Sequence, residues 1–135
     1  MMRKVLIGLA MAGCLSAAAS APAREKLTDE QRFAKLTQGL VPGQPQQCLI
    51  SRDTGSAGLT AVGSRLIYKA GRGLLYVNET TGGCENVARD DILITRSYSG
   101  RLCDGDIART VNRSTPQFTT GSCTLGRFIP YTRPR

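Results

Sequence analysis

The sequence predicts an all-β fold with one short N-terminal helix: a small antiparallel meander that forms a barrel or sandwich and is stapled by disulfides. Three observations carry this expectation. Short runs rich in apolar and β-branched residues recur along the chain, with Gly, Asp, Ser, Thr or Pro between them. Cys48, Cys84, Cys103 and Cys123 are spread widely across the same stretch. Beyond an N-terminal leader only about 110 residues remain, enough for one domain whose modest core gains from cross-links.

The leader comes first. Met1-Met2-Arg3-Lys4 carries positive charge, Val5 to Leu15 is an unbroken apolar run, and Ser16 to Ala23 is a tract of small residues. That order is the pattern of a secretory signal peptide, too short to stay in a bilayer as a spanning helix. Ala21-Pro22-Ala23 offers a small-x-small cleavage site, which makes Arg24 the first mature residue and the periplasm the expected location. A second processing route is drawn on the same residues. Met11-Ala12-Gly13-Cys14 resembles a lipobox, with Met11 where Leu is usual, and a lipidated Cys14 would make an outer-membrane lipoprotein tethered by Leu15 to Ala23. The expected organisation is a signal peptide over 1–23, a short helix and linker over 24–46, and a β-rich disulfide-linked domain over 47–135. Contact with a membrane is expected only if Cys14 is lipidated.

Thr28-Asp29-Glu30-Gln31 opens the helix: Thr28 is a good N-cap, Gln31 completes a capping box, and the acids meet the positive end of the helix dipole. Phe33, Leu36 and Leu40 then form a narrow apolar stripe, and Gly39, Pro42, Gly43 and Pro45 end the element. The stripe predicts a flap that covers one face or end of the domain. Strands are expected at Cys48-Leu49-Ile50, Leu66-Ile67-Tyr68, Leu74-Leu75-Tyr76-Val77, Ile92-Leu93-Ile94-Thr95 and Ile107 to Val111. A last one runs from Ser122 to Tyr131, interrupted by Gly126. Ala70-Gly71-Arg72-Gly73 is the strongest hairpin signal.

In a simple meander successive strand ends alternate between two poles. Cys48 starts the first strand and Cys103 follows the fourth; Cys84 follows the third and Cys123 starts the sixth. Cys48–Cys103 and Cys84–Cys123 is therefore the preferred pairing among the three that four cysteines allow. A zinc site is disfavoured, because the chain has no His and no closely spaced cysteine pair.

The net charge of +8 includes Arg3 and Lys4, so the mature chain stands near +6. Arginine dominates, since only Lys26, Lys35 and Lys69 are mature lysines, and guanidinium forks suit carboxylates and phosphates. The arginines are scattered from Arg24 to Arg135, which describes a generally basic surface. Binding of a polyanion through them stands as an alternative function. With no Trp, three Phe and four Tyr, the chain offers few stacking platforms, and no nucleic-acid partner is expected.

Catalytic signals are sparse. Asp53-Thr54-Gly55-Ser56 matches the short motif of aspartic peptidases, in which two carboxylates from two lobes or subunits share a proton, so a dimeric peptidase using Asp53 is an alternative function. Arg52 argues against it by favouring the ionised carboxylate, and the same four residues make an ordinary turn. Asp104-Gly105-Asp106 supplies hard oxygens but not the ligand set of a calcium loop. Gly71-Arg72-Gly73 lacks the strand–loop–helix context of a phosphate loop. Asn78-Glu79-Thr80 and Asn112-Arg113-Ser114 match the glycosylation triplet and are read as exposed loops. Without a His base or a mature Ser-x-x-Lys pair, nucleophilic catalysis has no machinery, and neither enzyme activity nor cofactor is expected.

The segment Arg101-Leu102-Cys103-Asp104-Gly105-Asp106-Ile107, the segment Gly121 to Phe128, and Tyr76-Val77-Asn78 leading to Gly83-Cys84 resemble an uncharacterised family of small exported proteobacterial proteins, a domain of unknown function. The resemblance spans about Gly39 to Tyr131. It implies that the four cysteines are framework residues, brings no enzymatic role, and includes lipoproteins. The expected function is a non-enzymatic binding or structural protein of the envelope, whose partner is a protein or an anionic envelope component. Inhibition of lysozyme is disfavoured, because lysozyme is cationic and would be repelled by a partner near +6.

Overall fold

The computed structural model describes residues 23–50 and 58–135; all of the expected signal peptide but Ala23, Cys14 included, and Asp53 to Ser56 lie outside them. The helix forms where the capping box predicts it. In α1 (Asp29–Leu36), Thr28 Oγ1 accepts from the Gln31 amide at 3.2 Å and Gln31 Oε1 accepts from the Thr28 amide at 2.9 Å. Two N–H groups that begin a helix without partners are thereby satisfied.

A five-stranded sheet follows, built from β1 (Val41–Pro42), β3 (Leu59–Val62), β4 (Arg65–Gly71), β5 (Leu74–Glu79) and β11 (Phe128–Thr132) in the order β1-β11-β5-β4-β3. The hairpin predicted around Gly71-Arg72-Gly73 joins β4 to β5, and Gly73 takes φ +72 there, the left-handed conformation such a turn needs. Strict alternation gives this sheet two buried faces. Val62, Ile67 and Leu75 on one face pack with Phe33, Leu36 and Leu40, so the helix and the turn after it cover that face as the apolar stripe implies. Leu66, Tyr68, Tyr76 and Phe128 on the other face form the main core.

Opposite that core lies a four-stranded sheet of β6 (Thr81–Gly82), β10 (Thr119–Thr124), β9 (Ile107–Val111) and β7 (Ile92–Thr95), in that order. Ala108, Cys123 and Leu93 face the shared interior. A two-stranded ribbon, β2 (Cys48–Ile50) with β8 (Arg101–Cys103), adds the buried pair Leu49 and Leu102. The fold is a β-sandwich with one short α-helix, antiparallel throughout. The sheets stay open, so the barrel alternative is corrected.

The simple meander is corrected too. β3, β4 and β5 are consecutive, but β11 returns from the far end of the chain to pair with β5, and β7 pairs with β9 rather than β8. The expected last strand is two strands in different sheets: the chain crosses between them at Leu125-Gly126-Arg127. There Asn78 Nδ2 donates to the Gly126 carbonyl at 2.7 Å and the Gly126 amide donates to Asn78 Oδ1 at 2.9 Å. A Cβ on Gly126 would stand 2.4 Å from the Glu79 carbonyl oxygen, so the crossing needs glycine for close approach. β1, β3, β6, β8 and a 3₁₀ helix over Glu85–Arg89 were not expected from the sequence. The segment 24–46 does more than link, since β1 pairs with β11 and Gln46 bridges to Phe128.

Cys48–Cys103 and Cys84–Cys123 lie at bonding distance, with S–S separations of 2.06 and 2.02 Å. The preferred pairing is the one seen, but the first bond arises differently: Cys48 and Cys103 are directly opposite residues of β2 and β8. Their neighbours Leu49 and Leu102 point inward, so this disulfide sits on the outer side of the ribbon, half-buried. Cys84 and Cys123 belong to the core.

Candidate anion-binding cleft

The outer face of the four-stranded sheet carries the site. Along β9, Ala108 and Thr110 have no exposure, so alternation sends Ile107 and Arg109 outward. Register places Ile94 of β7 and Ser122 of β10 on either side of Arg109. Arg96 and Tyr98 follow directly after β7. Together with the turn at Gly105-Asp106 these residues line a cleft of about 430 Å³. Its apolar content is unusually open to water: Ile107 is 69% and Tyr98 98% exposed. A cleft of that size matches a small-molecule site or a lipid head group with part of its chain.

Carboxylates tie up some of the basic residues, whereas the two arginines that line this cleft are unpaired among the described residues. Arg32, Arg65, Arg113 and Arg127 each sit in an ion pair, with Asp29, Glu30 and Glu79, Asp90 and Asp104 respectively. Arg96 and Arg109 make none among the described residues. Asp106 is the one carboxylate lining the cleft, its Oδ2 accepting from the Cys103 amide at 2.7 Å, so two guanidiniums outweigh one carboxylate there. Two uncommitted guanidiniums beside an isoleucine floor can hold an anion that carries apolar surface.

The other sequence candidates resolve as follows. Asp104 and Asp106 belong to a tight turn in which Gly105 has φ +88. No group of three or more His, Cys, Asp or Glu among the described residues is placed to hold a metal. Asn112 is an Asx turn, its Oδ1 accepting from the amides of Ser114 and Thr115 at 2.9 and 3.1 Å. Asn78 corrects the exposed-loop reading: it lies in β5 with 0% exposure. Asp53 and Cys14 lie outside the described residues. The convergence of Arg96 and Arg109 was missed; alternation along β9 identifies Ile107 and Arg109 as an outward pair, but only the β7–β9 register brings Arg96 and Tyr98 to them.

No protein family, curated protein or solved structure matches this chain. Two disulfides mark a protein of an oxidising compartment rather than the reducing cytosol. Among the described residues no helix is long and apolar enough to cross a membrane.

Proposed function

We propose that this chain is an exported, non-enzymatic binding protein of the bacterial envelope, periplasmic or held at the outer membrane through Cys14, that recognises an anionic envelope component. The observation that carries this reading is the pair Arg96 and Arg109: neither has an ion pair among the described residues, and both line one cleft with Ile94 and Ile107. The leader pattern and the disulfides support export. The resemblance over the cysteine framework supports membership of a family of small exported proteins, and it brings no catalytic residues with it.

Binding of lipopolysaccharide and of heparin, measured with rising salt, tests the proposal. Affinity should fall steeply from about 10 mM to 150 mM salt, because released counterions drive such association. The double variant Arg96→Gln, Arg109→Gln should lose about tenfold or more at constant salt, as expected when charge-assisted hydrogen bonds are removed. Weak binding that ignores both salt and the variant would overturn it.

A further inference from the structure

β7 ends the four-stranded sheet, and among the described residues no strand pairs with its second edge. Such edges are usually blunted by a charge, a proline or a bulge, because their unpaired N–H and C=O groups recruit another strand. Ile92-Leu93-Ile94-Thr95 has none of these and all four residues are half-buried. Charge appears only at its two ends: Asp90 and Asp91 precede it and Arg96 follows it.

That bracketing is self-complementary. Two copies of β7 laid antiparallel about a two-fold axis at Leu93 keep the same face outward in both, since opposed residues share a face. In that register Leu93 meets its own copy and Ile92 meets the second copy's Ile94. Asp90, a left-handed turn residue with φ +73 just before the strand, and Arg96, just after it, then bring an acid of one copy near a guanidinium of the other at both ends. Asp90 has a side chain 78% exposed, and the one guanidinium it holds, Arg113 at 2.9 Å, leaves its second oxygen available. Arg96 has no ion pair among the described residues. A strand with acid at both ends or base at both ends would repel its copy in this arrangement.

We infer that β7 is a homodimerisation edge, joining two copies into one continuous eight-stranded sheet through an isoleucine stripe closed by two Asp90–Arg96 pairs. The interface is isologous, as two-fold pairing requires. Arg96 also lines the anion cleft, so the two readings are separated through Arg109, which faces the cleft and lies one strand away from the edge.

The test is sedimentation of the processed protein with both disulfides formed, from about 1 µM to 1 mM at about 0.15 M salt. A reversible dimer is expected. Asp90→Asn and Arg96→Gln, both at exposed positions outside the strand, should each weaken it about tenfold. The double variant should be no weaker than either alone, because the pair is already lost. Arg109→Gln should leave the dimer intact while weakening anion binding. A protein that is monomeric throughout, or a dimer indifferent to both Asp90→Asn and Arg96→Gln, overturns the inference.

Discussion

A primary amide without solvent contact needs partners for both its oxygen and its nitrogen, and Asn78 finds them on one residue. Its two hydrogen bonds to the Gly126 backbone complete the ladder where the chain leaves one sheet for the other. Asn78→Ala removes both partners from the half-buried Gly126 backbone and opens a gap at a fully buried position, so it should cost about 2–4 kcal/mol in a urea melt. Gly126→Ala should be comparably costly, because its Cβ meets the Glu79 carbonyl backbone. This was not legible in sequence: Asn78-Glu79-Thr80 reads as a surface triplet, and only the return of β11 buries it. Tyr68 is the opposite case. Its hydroxyl is buried with no hydrogen-bond partner among the described residues, and burial pushes the phenol's pKa up. The sign follows: above about pH 10 the unfolded chain ionises this phenol while the folded chain does not, so stability falls as pH rises. Tyr68→Phe should be neutral or stabilising at pH 7 and should lessen that alkaline loss; a clear destabilisation by calorimetry would contradict it.

At the scale of elements, α1 shows what local sequence can specify. Its cap, its start and its apolar stripe all follow from residues within two turns of one another. Its docking does not: Arg65 of β4 donates to Glu30 at 2.9 Å, approaches Glu79 at 3.6 Å and stacks over the Phe33 ring at 4.6 Å. The Glu30 hydrogen bond, with the neighbouring charges, holds the Arg65 guanidinium pKa above its ordinary value against the cost of burial. Glu30 and Glu79 are largely exposed, so solvent screens these pairs; Arg65→Met should cost only about 0.5–1 kcal/mol, yet speed amide exchange in α1 selectively. The strands show the limit from the other side. The β4–β5 hairpin is legible because its turn and both strands are contiguous. β3 and β8 are short and weakly patterned, and the Ser122 to Tyr131 run divides only because β9 and β5 compete for its two halves. The two disulfides differ in exposure. Mild reductant should open the half-buried Cys48–Cys103 bond first and Cys84–Cys123, within the core, only on unfolding; mass spectrometry after alkylation reads the order.

For the whole molecule, the four cysteines point to a disulfide-linked domain outside the reducing cytosol, while the cleft depends on which strands become neighbours. Arginines scattered in sequence divide in space between those tied into ion pairs and those without one among the described residues, and of the latter Arg96 and Arg109 come together on the outer face of the second sheet. The peptidase alternative belongs to this scale as well, because it needs two copies to supply two carboxylates; Asp53→Asn should leave the protein's binding unchanged and abolish no peptide cleavage. The measurement that tests the central claim most directly is the intact mass of the protein recovered from its native envelope, before and after reduction. An exported, disulfide-stapled protein begins at Arg24, or at an acylated Cys14, and gains about 4 Da on reduction as two bonds take up hydrogen. A species that retains Met1 and keeps its mass on reduction would contradict export and the disulfide framework together.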